Sequence, residues 1–364
     1  MQLRLSLLIL VMITAAQHGS SAIAEPDTTD RPIVIAAVGD LMLGSTYPYK
    51  TGRLPPRDGA GLLAPVTPIL KAADIAFGNL EAPLFDGGTK PNCTPGGIAE
   101  KNHGRPGGKS CWAFRMPARY GKLLAAAGFD ALSLANNHID DFGVAGRAST
   151  IAILKRLGIR YSGPVGTVAR LDVRGRKVHM IAFATYAGLN NLDDLKAARA
   201  LVAKSARTAD IVMVSFHGGA EGRRAQRVPR TKETFHGESR GALRVFAHAM
   251  VDAGADLVVG HGPHVLRGME FYKKRLIAYS LGTFASHRGI NVSGVLGRTM
   301  ILQVQLARDG SFVGGQVIPV RQRFPGGPRL DRTRTVVNTL RRLSRLDFGA
   351  RAVKLSTRGR ISPP

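Results

Sequence analysis

Five short apolar runs, each broken at once by a polar residue, set the rhythm of this chain. Ile33-Val34-Ile35-Ala36-Ala37-Val38 runs into Gly39-Asp40, Ile75-Ala76-Phe77 into Gly78-Asn79, and Ala131-Leu132-Ser133-Leu134-Ala135 into Asn136-Asn137-His138. Ile211 to Phe216 meets His217, and Leu257-Val258-Val259 meets Gly260-His261. Runs this short and this uniformly apolar read as buried strands. Helical spacing predicts helices over 61–73, 117–127, 146–157, 192–208 and 240–253, with a further strand over 178–184. Residues 269–280 and 299–319 read as hairpins about Lys273-Lys274 and Asp309-Gly310. Alternation of this kind predicts an α/β fold, an open sheet with flanking helices. Asp40, Asn79, Asn137, His217 and His261 all fall just past a strand's C-terminal end, where open α/β sheets bind their ligands.

The N-terminus changes the picture of where the chain works. A short basic start to Arg4, an apolar run from Leu5 to Ala16, and the small-residue stretch Ser20 to Ala24 follow the order of a signal peptide, with cleavage expected after Ala24. The run is shorter than the roughly 20 residues a membrane span needs. Residues 1–24 are therefore expected to be a signal peptide, and the protein to be secreted or periplasmic. Cys93 and Cys111 both fall in a polar loop over 86–114, and in an oxidising compartment such a pair reads as a disulfide.

Charge adds a partner class. The chain holds 51 Lys and Arg against 25 Asp and Glu, a formal charge of +26. Export argues against nucleic acid and leaves cell-envelope polyanions, polyglutamate and anionic membrane surfaces as partners. Residues 323–364 are expected to be a basic tail, solvated and partly disordered, or else a polyanion-binding arm. A helix near 335–346 would present Val336, Val337, Leu340 and Leu343 on one face.

The strand-end residues carry the chemistry. Carboxylate, amide oxygen and imidazole donors brought together from several strands suit one or two divalent ions, with nitrogen donors favouring Mn, Zn or Fe over Mg or Ca. Such a centre can activate water for hydrolysis. Taken singly, each residue has a plainer use: asparagines cap helices and turns, and histidines pack at sheet edges.

In order, Val38-Gly39-Asp40, Gly78-Asn79-Leu80-Glu81-Ala82-Pro83-Leu84, Ala135-Asn136-Asn137-His138-Ile139-Asp140-Asp141-Phe142-Gly143, His217-Gly218-Gly219-Ala220-Glu221, Gly260-His261-Gly262-Pro263-His264 and Tyr279-Ser280-Leu281-Gly282-Thr283-Phe284 resemble the conserved blocks of the bacterial CapA family of capsule and poly-γ-glutamate biosynthesis. That family is similar in fold to calcineurin-like metallophosphoesterases. The resemblance implies a four-layered α-β-β-α sandwich over 32–322, capsule synthesis or export proteins as partners, and a phosphoesterase-like hydrolase site. It maps Asp40, Asn137, His217, His261 and His264 to metal-ligand positions, and Glu81 or Asn79 to the bridging carboxylate. Asp40 and His138 become the catalytic pair, with His138 helping to stabilise or protonate the leaving group. Asn136, Asp141 and Glu221 become supporting residues. Three departures stand out: Met42 replaces the histidine of the usual Asp-x-His, Gly262 interrupts a His-His pair, and Thr283 replaces an asparagine. The alternative implied by the same blocks is a cleft that binds or passes on a polyanion without turning it over.

Overall fold

Alternate residues of the first strand serve different cores, and this alternation organises the molecule. In the computed structural model, which describes residues 31–47, 54–88, 91, 99–100, 110–325 and 327–364, strand Ile33–Met42 points Ile33, Ile35 and Ala37 into one apolar layer and Ala36 and Val38 into another. Side chains alternate sides along a strand, so a strand that is apolar throughout must be covered on both faces.

Two sheets supply that cover. The larger has ten strands, with Ile33–Met42 near its middle, parallel to Ile75–Leu80 and Thr283–Ser286 and antiparallel to Arg298–Leu306. Ala131–Ser133 and Arg160–Ser162 extend it in parallel on one side. The smaller sheet has six strands, in which Ile211–His217 lies between Arg176–Ala184 and Leu257–His261, all parallel. The inter-sheet layer joins Ile33, Ile35 and Phe77 of the first sheet to Val178, Met213 and Val259 of the second. Outside the larger sheet, helices Gly121–Ala127 and Gly143–Arg156 contribute Leu124, Ile153 and Leu154 to a second layer. Outside the smaller, Leu195–Ala206 and Leu243–Asp252 contribute Val202, Phe246 and Met250 to a third. Helix, sheet, sheet and helix are the four layers expected.

Several boundaries differ from the sequence reading. The helix expected over 61–73 is only Thr67–Lys71, because Pro65 and Pro68 restrict the turn before it. The helix expected from 240 starts at Leu243, and Arg240 and Gly241 belong instead to strand Glu238–Gly241. The first strand does not stop at Val38; it continues to Met42, so Asp40 lies within it. Both hairpins form where expected, as Met269–Tyr272 with Arg275–Ala278 and Arg298–Leu306 with Phe312–Gln322.

The largest correction is at the C-terminus. Helix Thr335–Phe348 buries Val336, Val337 and Leu340 in the inter-sheet layer, and strand Arg360–Ser362 pairs with Phe312–Gln322. This segment is part of the sandwich and not a solvated tail: its arginines occupy the exposed face of a helix whose other face is core. Fully burying such side chains is worth about 1.5–3 kcal/mol each, against a net domain stability of about 5–15 kcal/mol. Deleting residues 332–364 is therefore expected to leave the chain insoluble or unfolded at room temperature. A truncated protein that stayed soluble and melted with the parent would contradict this placement.

The signal peptide lies outside the described residues, as does Cys93 and with it the expected disulfide; Cys111 is described only as backbone of the short Ser110–Cys111 strand. Among the described residues no helix is long and apolar enough to cross a membrane.

Candidate metal centre

The polar residues gather near the C-terminal ends of neighbouring strands, Asp40 and Asn79 just inside them and His217 and His261 at the last position. Asp40 and Asn79 are in register on neighbouring strands of the larger sheet, and His217 and His261 are in register on neighbouring strands of the smaller. Glu81 follows Leu80 directly, and His264 follows the turn after His261. Asp40, Asn79, Glu81, His217 and His261 are all essentially inaccessible to solvent.

Asp40 is the hub. Its backbone N–H donates to Gly282 O at 3.1 Å, which fixes the strand against the Leu281-Gly282 turn. Its Oδ2 meets His264 Nδ1 at 3.0 Å and its Oδ1 lies 3.6 Å from His261 Nδ1. Asn79 Nδ2 donates to Asp40 Oδ1 at 3.0 Å and faces His217 Nδ1 at 3.2 Å. The amide oxygen of Asn79 is taken by Asn136, whose Nδ2 donates to it at 3.1 Å. Asn79 thus braces Asp40 and His217 with its nitrogen, while its oxygen, expected as a metal ligand, accepts from Asn136. The carboxylate of that segment is Glu81, 3.6 Å from His264 Nε2 and 3.8 Å from His217 Nε2.

A metal fits this set because the donors lack other partners. Both oxygens of Glu81, Nε2 of His217 and both ring nitrogens of His261 are buried without a hydrogen bond. Leaving such groups unsatisfied costs about 1–3 kcal/mol each, and a cation among them would answer the Glu81 carboxylate and one nitrogen of each ring. Asp40, Glu81 and His264 can place one donor atom each within 4.8 Å of one another. His264 reaches this position through a left-handed backbone, φ 56°, a strain of about 1–3 kcal/mol for a residue with a side chain.

The electrostatics show what a cation would replace. Burial alone would raise the Asp40 carboxyl, but the close His261 ring, the hydrogen bond with His264 and the charge of both rings hold it well below the usual carboxylate range. Burial, reinforced by the Asp40 charge, pushes Glu81 well above that range. Burial also pulls His217 well below the usual imidazole range, with the Arg240 charge adding to it. For His264, burial opposes protonation, yet Glu81, Glu221 and Asp40 outweigh it and carry the ring up to about 10. Without metal, the acids around His264 favour its protonated ring.

Beside the cluster opens a cavity of about 1090 Å³, onto which Asn137, His138, Asp141, Glu221 and His264 all face. Asn137 Oδ1 is buried without a partner there. His138 Nδ1 pairs with Asp141 Oδ2 at 2.9 Å, and the same oxygen accepts Phe114 N–H at 2.7 Å. Burial raises the Asp141 carboxyl, with the His138 contact opposing it. Asn136 holds the segment by accepting His138 N–H at 3.1 Å and donating to Leu80 O at 2.9 Å.

Every expected site residue outside the cysteine pair is therefore in this region. The sequence reading missed Arg240, Tyr186 and Glu238. Arg240, wholly buried, donates to Glu221 Oε1 at 2.6 Å, to Tyr186 Oη at 2.8 Å and to Gly219 O at 3.0 Å, which holds Glu221 within 3.6 Å of His264. Tyr186 donates on to Glu238 at 3.1 Å. The one available signal was the neighbourhood of Glu221, an acid that a buried site would require to be paired.

Comparison with known proteins places this geometry. The profile of the family described as bacterial capsule synthesis protein PGA_cap matches residues 34–288. The capsule biosynthesis protein CapA of Bacillus anthracis is 28% identical over 302 residues, covering 77% of this chain and 66% of its own length. The PGA biosynthesis protein CapA of Bacillus subtilis (strain 168) is 27% identical over 278 residues, 72% of this chain and 65% of its own. The chain thus spans just under two thirds of these relatives. Among solved structures, a 5'-nucleotidase precursor from Thermus thermophilus aligns over 86% of this chain and 58% of its own at 12% identity, with a TM-score of 0.41.

Proposed function

The chain belongs to the bacterial capsule synthesis family PGA_cap, and from that membership we propose that it is an exported protein of capsule or poly-γ-glutamate synthesis bearing a metal-dependent hydrolase site. The observation that carries the proposal is the convergence of Asp40, Glu81 and His264, whose donor atoms can lie within 4.8 Å of one another, with His217 and His261 nitrogens buried without partners beside them. The signal-like N-terminus supports export, and the relatives named for capsule and PGA biosynthesis support the polymer.

In this reading Asp40, Glu81, His261 and His264 hold the metal, with His217 and Asn137 completing the set from either side. A bound divalent ion would lower the pKa of a water and polarise the bond to be cleaved. The remaining work falls to the chain. Asp141 accepts a hydrogen bond from Nδ1–H of His138, whose imidazolium form would give its Nε2 proton to the leaving group in the cavity and leave a neutral imidazole. Arg240 keeps Glu221 turned toward His264. Asn79 fixes Asp40 and His217 from behind. The substrate class is a phosphoester or an amide-linked polymer. The second reading, a cleft that retains polymer without cleaving it, draws support from Met42 standing where a phosphoesterase histidine is usual.

The first test is metal content. The chain from Glu25 onward is expected to carry near-stoichiometric Mn, Zn or Fe by elemental mass spectrometry, and His261→Ala to lose it. No metal after incubation with Mn and Zn would overturn the hydrolase reading.

A second outcome follows from His264. Its folded pKa, about 10, lies above the unfolded value of about 6.5, so the metal-free native state binds more protons than the unfolded chain between those limits. The stabilisation is complete below about pH 6.5 and disappears as pH rises toward 10. Glu81, also raised, acts in the same direction from a lower starting point. The melting temperature in EDTA is therefore expected to fall across this window. Metal loading near pH 8 is expected to release at least one proton, read as a buffer-dependent heat in calorimetry. A buffer-independent heat would contradict the protonated His264.

A further inference from the structure

A second feature lies beyond the family's matched span. Helix Thr335–Phe348 and the segment leading into strand Lys354–Leu355 flank a groove of about 660 Å³. Its ionisable side chains are Arg341, Arg342, Arg345 and Lys354, and no carboxylate side chain lines it. Asn338, Arg341, Arg342 and Arg345 recur at the three- and four-residue steps that share one helical face. The opposite face, with Val336, Leu340 and Leu343, is core, so the cations cannot turn away from solvent.

The neighbouring acids are already committed. Asp347 is buried against Arg227 and the N–H of Val228, and Glu270 is held by His248, Tyr279 and Arg351. Arg341 Nε donates to Leu355 O at 2.8 Å, which fixes one wall of the groove. Arg342, Arg345 and Lys354 form no ion pair among the described residues. The metal-centre cavity has the opposite balance, with Asp140, Asp141, Glu221 and Glu238 facing it against Arg147 and His264, and its acids are already paired with neighbouring side chains. A polyanion would meet an excess of acids there and only basic ionisable side chains here.

We infer that this groove is a docking site for a linear polycarboxylate, separate from the metal centre. The inference rests on the polymer named in the proposed function and not on the metal chemistry. Guanidinium groups take carboxylates in paired, charge-assisted hydrogen bonds. Cations spaced along one groove hold successive carboxylates of a single chain, so each contact raises the local concentration for the next. The groove would keep polymer on the protein while the acid-rich cavity handles a short portion of it.

The test uses the chain from Glu25 onward in EDTA, with binding of fluorescently labelled poly-γ-glutamate followed by anisotropy against NaCl. The double reversal Arg342→Glu with Arg345→Glu is expected to weaken binding at least about tenfold at low salt and much less at high salt, as screened exposed charges do. Reversal of Lys155 and Arg160, exposed cations that line another groove, is expected to bind as the parent does. Thermal unfolding of both variants within a few degrees of the parent verifies folding. If the parent fails to bind poly-γ-glutamate, the polymer reading itself falls. If the parent binds and the Arg342/Arg345 variant binds equally, or the control loses as much, the groove falls alone. Polyphosphate competing as well as polyglutamate at equal charge would overturn the carboxylate assignment.

Discussion

Glu81→Gln is expected to abolish metal loading while leaving the metal-free protein close to the parent in stability at neutral pH. In that state burial and the Asp40 charge keep the Glu81 carboxyl protonated well above the usual range, and neither oxygen has a hydrogen-bond partner. Glutamine reproduces the shape and neutrality of that protonated acid, so little is lost on folding. A cation, however, needs the anion. Removing a carboxylate donor is expected to weaken divalent metal binding at least about 100-fold, since even residues behind metal ligands cost about 10–100-fold. Metal binding also stabilises a fold in proportion to its affinity, so the parent's melting temperature should rise with added Mn and the variant's should not. A variant with stoichiometric metal would remove Glu81 from the centre.

Gly39→Ala is expected to be the most damaging single change, although it adds one methyl group next to a site that keeps all its ligands. A Cβ at position 39 would sit 1.7 Å from the carbonyl oxygen of Gly282, far inside van der Waals contact. That oxygen cannot retreat cheaply, because it accepts the Asp40 N–H at 3.1 Å and belongs to a turn with φ 75° at Gly282. Moving it would separate the first strand from the Thr283–Ser286 strand and swing Asp40 away from His261 and His264. The expected cost exceeds about 4 kcal/mol, in the range reserved for core overpacking and lost buried networks. Circular dichroism and solubility would report it. An alanine variant with parental melting temperature and metal content would show that the two strands part more easily than this packing implies.

How legible the molecule is in its sequence depends on the kind of signal. The strand-end pattern located Asp40, Asn79, His217 and His261 because burial on both faces leaves apolar runs that only a functional residue interrupts. The divided roles within the cluster were not legible. Asn79 and Glu81 both offer oxygen, and the network that ties Asn79 to Asp40, His217 and Asn136 could not be read from the sequence. Arg240 escaped because a lone arginine between Ser239 and Gly241 has no periodicity, and its importance comes from Glu221 and Tyr186, distant in sequence. At the C-terminus, the apolar face of residues 335–346 was visible but the net charge around it suggested a solvated tail. Charge is a property of the exposed face; Val336 and Leu340, fully buried, decide the placement.

Each sheet supplies half of the cluster: Asp40, Asn79 and Glu81 stand on one, His217, His261 and His264 on the other. Neither half has enough donors to capture an ion tightly. A metal held by this cluster would therefore bind only after the two sheets have docked. On the proposed export and metal binding, a chain threaded across a membrane in extended form would leave the cytosol with no metal aboard. Its choice of metal would be made by the compartment in which it folds.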